Sequence, residues 1–218
     1  MKITIDGPVA SGKTAVGRAL ARRIPARFLD TGMMYRAVTW ASIQQNIDLN
    51  NKADLAKLTK SLSIEVILED GEQGLKVDGT DITDELRNSV IESNVSKISQ
   101  VGAVRHELVD QQRAIASTGD IVMVGRDIGT VVIPNADLKI YLDASIQIRA
   151  KRRHDEMRRK GQRIDLEKLV EEIKTRDNMD SNRKDSPLVS AEDAVIINTD
   201  RLRIDQVVNL ILESIQKS

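Results

Sequence analysis

Gly7-Pro8-Val9-Ala10-Ser11-Gly12-Lys13-Thr14 is the stretch that decides how this chain folds. It satisfies G-x-x-x-x-G-K-[ST], a loop that turns successive backbone N–H groups onto phosphate oxygens. Its surroundings agree: Ile3-Thr4-Ile5 reads as a short strand, and Val16, Leu20 and Ile24 recur at helical spacing behind it. The helix adds its positive N-terminal end to the site. Gly7 and Gly12 permit backbone angles that a Cβ forbids. Every residue from Gly7 to Thr14 is therefore a candidate ligand of a nucleoside triphosphate, with Lys13 on the β- and γ-phosphates and the Thr14 hydroxyl on Mg²⁺.

The chain has 218 residues, enough for one α/β domain with a small insertion. Its 33 basic and 33 acidic residues cancel, so no overall field draws it to nucleic acid or to an anionic membrane. It contains no cysteine, which excludes disulfides and thiolate metal sites. No apolar run approaches the roughly 20 residues of a membrane span. Met1-Lys2-Ile3 enters the first strand directly, leaving no room for a signal peptide, so a cytoplasmic protein is expected. His106 and His154 sit on charged helical stretches and read as solvated surface.

Further along, Ala26-Arg27-Phe28-Leu29-Asp30 reads as a second strand, and Thr31-Gly32 opens a helix carrying Met34, Val38 and Ala41. Arg36 is a charge among apolar neighbours on that helix. Ile64-Glu65-Val66-Ile67-Leu68 alternates as a strand does. Turn signals at Asp70-Gly71 and Asp78-Gly79 flank Leu75-Lys76-Val77. Residues 63 to about 83 are thus expected to form a β-rich insert between core segments 1–62 and 84–218. Ile121-Val122-Met123-Val124 is a continuous apolar run, as in a strand buried on both faces. It ends in Gly125-Arg126-Asp127, placing a charged pair where open α/β sheets hold ligands. Runs 138–143 and 194–198 supply two more strands. The fold expected is an α/β domain of the P-loop type, with a five-stranded parallel sheet covered by helices on both faces.

The segment from Arg149 to Arg163 is the most basic. A solvated helical face, a nucleic-acid contact and a flap that closes over phosphates, with Gly161 near its tip, all fit that composition. Beyond it, Arg176, Asp180 and Arg183 fall about a helical turn apart and share one face.

These blocks together resemble the bacterial-type cytidylate kinases: the opening loop, Asp30-Thr31-Gly32 through Tyr35-Arg36, Gly125-Arg126-Asp127 with Gly129-Thr130-Val131-Val132, and Arg176-Asp177 through Asn182-Arg183. The likeness runs over nearly the whole chain. It implies transfer of the γ-phosphoryl group of ATP, with Mg²⁺, to CMP or dCMP, and a lid at about 149–163. It implies that Lys13, Arg126 and Arg183 are catalytic. Arg36, Arg126 and Arg183 would clamp phosphates, while Ser96, Arg105 and Asp127 would read cytosine. Arg176 and Asp180 would hold the ribose, Thr31 would line the acceptor site, and Arg149 and Arg153 would reach ATP from the lid. Thr31 departs from the family's usual serine but keeps the hydroxyl.

The chemistry agrees, because phosphoryl transfer needs positioning and charge neutralisation more than a base. Guanidinium forks match phosphate oxygens. Three alternatives carry distinct signatures: a kinase for UMP or AMP, a P-loop switch that hydrolyses nucleotide without an acceptor, and an ATPase stimulated by nucleic acid. A monomer that binds neither nucleic acid nor membrane is expected.

Overall fold

Side chains alternate across a strand, and Ile121–Val124 uses that alternation to join two cores. Ile121 and Met123 pack on one face with Leu29, Met34, Val38 and Leu108. Val122 and Val124 pack on the other with Ile5, Val16, Leu20 and Ile211. Burial on both faces is typical of a strand inside a parallel sheet, and the computed structural model, which describes residues 1–69, 72–159 and 161–217, places it there.

The sheet comprises β1 (Lys2–Asp6), β2 (Arg27–Asp30), β6 (Ile121–Val124), β7 (Leu138–Asp143) and β8 (Val195–Asn198), in the order β2-β6-β1-β7-β8. Every pairing is parallel. All carboxyl ends therefore open on one edge, where β1, β2 and β6 deliver the phosphate loop, Thr31 and Arg126-Asp127.

The helices are α1 (Lys13–Arg23), α2 (Thr31–Gln44), α3 (Lys52–Ser61), α4 (Ser89–Ile98), α5 (Gly102–Ala116), α6 (Ile146–Arg159), α7 (Leu166–Ser181) and α8 (Ile204–Lys217). Several start where the sequence supplies an acceptor for orphan N–H groups. Asp30 caps α2 through Gly32 N, and Asn51, Asn88 and Asp165 cap α3, α4 and α7. Each such cap contributes about 1 kcal/mol.

The insert is a three-stranded antiparallel sheet, β3 (Ile64–Glu69), β4 (Glu72–Val77) and β5 (Thr80–Asp81). The expected Asp70-Gly71 turn lies outside the described residues. The insert shares the core of the larger domain, since Leu75, Val77 and Ile82 belong to the cluster built around Leu29 and Met34. Gln73 ties it down: its Oε1 accepts from Asp30 N at 2.6 Å, and its Nε2 donates to Asp30 O at 3.3 Å.

No helix among the described residues is long and apolar enough to cross a membrane. Residues 149–159 of the basic segment belong to α6, which packs against α7, and Gly161 lies in the turn that follows α6 with φ +76°.

Candidate active site

The loop after β1 is built from unusual backbone angles. Gly7 has φ 146°, and a Cβ there would lie 2.1 Å from the Leu142 carbonyl oxygen. Gly12 has φ 100° at the start of α1, and Ala10 takes φ 58° without a glycine's freedom. Such strain persists where the surroundings enforce it. Arg149 and Arg152 of α6 supply part of that enforcement. Arg149 Nη1 donates to Val9 O at 3.2 Å, its Nε to Ala144 O at 2.9 Å, and its Nη2 meets Asp177 at 2.7 Å. Arg152 Nη1 donates to Ser11 O at 3.3 Å.

Lys13 is buried, and its Nζ donates to Pro8 O at 2.6 Å. Burial, and then the nearby Arg126 charge, pushes its pKa well below the ordinary lysine value. An anion at the loop would offset both. Thr14 Oγ1 donates to Asp30 Oδ2 at 2.7 Å, so a hydroxyl and a carboxylate face one another beside the loop. Both are hard oxygen donors of the kind Mg²⁺ takes. Among the described residues, no group of three or more His, Cys, Asp or Glu side chains stands ready to hold a metal. The protein alone thus offers a partial shell of the kind Mg²⁺ uses when phosphates and water complete it.

Asp6, the last residue of β1, joins the loop edge to the β6 edge. Its two carboxylate oxygens accept from Ile128 N at 2.9 Å and Gly129 N at 2.8 Å. Those residues open a single π-type turn, Ile128–Val132, directly after Arg126-Asp127. Burial outweighs these hydrogen bonds and pushes the Asp6 pKa up to about 6.

Next to the loop lies a cluster of arginines. Arg126 Nε donates to Asp180 Oδ2 at 2.9 Å, Arg183 Nη1 stands 3.7 Å from Asp180 Oδ1, and Arg176 Nε stands 4.0 Å from Oδ2. Arg183 also reaches Asp127 Oδ1 at 3.2 Å, and Arg105 takes Asp127 Oδ2. Arg105 lies 5.4 Å from the centre of the Tyr35 ring and donates to Ser99 O at 3.4 Å. Arg36 Nη1 is 3.5 Å from Glu92, which also pairs with Arg153.

Guanidinium groups outnumber carboxylates here, and the pKa shifts follow that excess. Burial, then Arg126, lowers Arg176 to about 10. Burial, then Arg105, lowers Arg183 as well. Burial alone would raise Asp180, yet Arg126, Arg176 and Arg183 hold it below the usual carboxylate range. Burial pushes Tyr35 up to about 12. Arg36 Nη1, Arg105 Nε and Arg176 Nε are buried without a hydrogen-bond partner. A buried unpaired donor costs about 1–3 kcal/mol, and a bound anion with several acceptor oxygens relieves that cost.

The structure therefore brings Arg36, Arg105, Arg126, Asp127, Arg176, Asp180 and Arg183 to one edge beside Lys13 and Thr14. Three expected residues sit differently from the simplest picture. Thr31 is buried, and its hydroxyl donates to Val124 O at 3.0 Å, so that proton is already engaged. Ser96 is half-buried on α4, and its hydroxyl bonds neither Arg105 nor Asp127. Arg153 points at Glu92 and Glu156 rather than at the loop. Asp6, Gln73, Glu92 and Arg152 were not legible as site residues. The one local signal was for Asp6, an acid ending a buried strand just before the loop.

Comparison with known proteins agrees with this geometry. A family model described as Cytidylate kinase matches residues 3–217. The cytidylate kinase of Bacillus subtilis is 44% identical over 217 residues, covering 100% of this chain and 97% of that protein. The cytidylate kinase of Desulforamulus reducens is 44% identical over 215 residues, covering 99% and 96%. Among solved structures, shikimate kinase from Bacteroides thetaiotaomicron superposes with a TM-score of 0.50 at 13% identity, covering 99% of this chain and 98% of that one. That last likeness concerns the fold alone.

Proposed function

The chain belongs to the cytidylate kinase family, and we propose that it transfers the γ-phosphoryl group of ATP to CMP and dCMP through the side chains gathered at this sheet edge. The observation that carries the assignment is the unbroken chain Arg105–Asp127–Arg183–Asp180–Arg126 beside the phosphate loop. One end offers a carboxylate and a guanidinium suited to a cytosine edge, and the other offers guanidinium groups suited to phosphates.

In this reading the loop N–H groups and Lys13 hold the ATP phosphates. An acceptor phosphate oxygen attacks Pγ, the Pγ–O bond to the β-phosphate breaks, and ADP leaves. The acceptor is already anionic, so no general base is needed. Arg126 and Arg183 neutralise charge on the transferring group, and Arg36 orients the acceptor phosphate. Arg176 and Asp180 hold the ribose, with Thr31 lining that side of the site and Ser96 completing the base pocket. Mg²⁺, when bound with ATP, neutralises phosphate charge, and Thr14 with the Asp30 carboxylate behind it would hold it. A cytoplasmic setting, with its pool of nucleotides, fits this reading. A coupled assay for ADP, run with ATP against CMP, dCMP, UMP and AMP, tests the assignment. Turnover with the cytosine nucleotides is expected, and hydrolysis without an acceptor would refute it.

A further inference from the structure

Glu92 is an acid on α4 that none of the chemistry above uses. Its two oxygens point to different elements: Oε1 faces Arg36 Nη1 of α2 at 3.5 Å, and Oε2 takes Arg153 Nη2 of α6. All three side chains are about three-quarters buried, with 22–26% exposure. Arg153 is held at both ends, because its Nη1 also donates to Glu156 at 2.9 Å. With a carboxylate on each terminal nitrogen, Arg153 keeps only its Nε–H and one N–H on each Nη for a phosphate, and its charge is already countered. Arg36 shows the complementary state, since its Nη1 faces Glu92 yet completes no hydrogen bond and is buried.

We infer that Glu92 is a positioning residue that parks Arg153 and Arg36 against α4 until nucleotide phosphates displace it. This rests on the function proposed above. Glu92 offers two oxygens with spread negative charge, as a phosphate does, and spans acceptor-side α2 and lid-side α6. A phosphate brings more charge and more acceptor oxygens, and charge-assisted bonds of this kind favour the stronger anion. Exchange of Glu92 for phosphate would free α6 from α4 and give Arg36 and Arg153 to the reacting groups together.

Two variants separate this from simple charge repulsion. Glu92→Gln removes the anion, and Glu92→Asp keeps the charge but shortens the reach to two helices. Two partly exposed ion pairs of ordinary strength are together worth about twofold to thirtyfold in affinity, so releasing both should tighten CMP binding by about that much. The measurement is calorimetric titration of CMP into the free protein, repeated at high salt, where the gain should shrink. Both variants are expected to gain affinity. If Glu92→Asp behaves as wild type, the effect is long-range charge and the latch is refuted. Weaker binding in both variants would show that Glu92 orients Arg36 productively, and would also refute it.

Hydrogen exchange in the free protein gives a second readout that does not depend on substrate. Exchange across residues 153–159 should quicken in both variants, and unchanged exchange would overturn the proposal. Wild-type protein that neither binds nor phosphorylates CMP would instead count against the function, leaving the exchange result to decide the latch.

Discussion

Asp6→Asn tests whether one buried carboxylate carries both a pH dependence and the shape of the β6 edge. Asp6 is 5% exposed, and burial moves its pKa from the ordinary 3.8 to about 6 while Ile128 N and Gly129 N still donate to it. An acid whose folded pKa is raised binds more protons folded than unfolded between those values. Stability must therefore fall as pH rises through that window. A shift of about two units corresponds to about 3 kcal/mol in full, of which about 2.5 kcal/mol falls between about pH 4 and about pH 7.5. Asparagine does not titrate, so it should abolish this contribution. It also turns an NH₂ toward one of the two backbone N–H groups, which costs about 1–3 kcal/mol at every pH. The variant should thus be clearly less stable than wild type near the lower pH and nearly level with it near neutrality. Urea unfolding of both proteins at the two pH values measures the change in their difference, which cancels every other titrating group. A difference that does not move with pH would refute the assignment of the raised pKa to Asp6. A variant that keeps full kcat/KM for CMP would separately show that the Arg126-Asp127 segment does not depend on this anchor.

Lys13→Met should lower kcat by about 10²–10³-fold with little loss of melting temperature, since it removes a charge that developing phosphate charge uses while relieving a buried cation. Near wild-type kcat in a folded variant would remove Lys13 from the mechanism. Asp127→Asn leaves Arg105 without its counter-charge in a buried place and Arg183 with Asp180 alone, so about 3 kcal/mol of stability should be lost in urea unfolding. The same variant, assayed at saturating ATP, should lose discrimination in kcat/KM between CMP and UMP, because its amide can present a donor. Equal loss on both acceptors would make Asp127 a support for the two arginines and not a base reader. Gln73→Leu should leave the Asp30 N–H unpaired, cost about 1–3 kcal/mol and quicken hydrogen exchange across β3 to β5. Unchanged exchange there would mean that Leu75, Val77 and Ile82 alone hold the insert.

What was legible in the sequence was what repeats locally. The phosphate loop, the apolar run at 121–124 and the antiparallel insert each announce themselves within a few residues, through glycine placement or hydrophobic period. Arg36, Arg126-Asp127 and Arg176 to Arg183 stood out because charge interrupted an apolar pattern or followed a strand. What escaped were partners far apart in the chain. Glu92 meets Arg153 across 61 positions, Gln73 meets Asp30 across 43, and Asp6 meets Ile128 across 122. Nothing near Glu92 marks it, because a single acid on an amphipathic helix looks like solvated surface. The π-type turn at 128–132 was equally hidden. Its valines and isoleucine carry strand preference, but Asp6 captures the first two N–H groups and bends the segment away from the sheet.

The position of Arg183 bears on how such a site can select a base. Its guanidinium lies between Asp127, at 3.2 Å, and Asp180, at 3.7 Å, and its Nε is spent on Ser186 O. Asp180 in turn holds Arg126 at 2.9 Å. If Asp127 reads the base, as proposed, it shares its charge between cytosine and two arginines. A base that leaves Asp127 badly matched alters the anchor of Arg183, and the same proposal puts Arg183 in the phosphate clamp. Base choice and phosphate positioning are then one coupled network of buried charges, in which effects do not add. Discrimination against uracil should consequently fall on kcat as well as on KM, since a misplaced guanidinium weakens the transition state and not only the binding of the ground state.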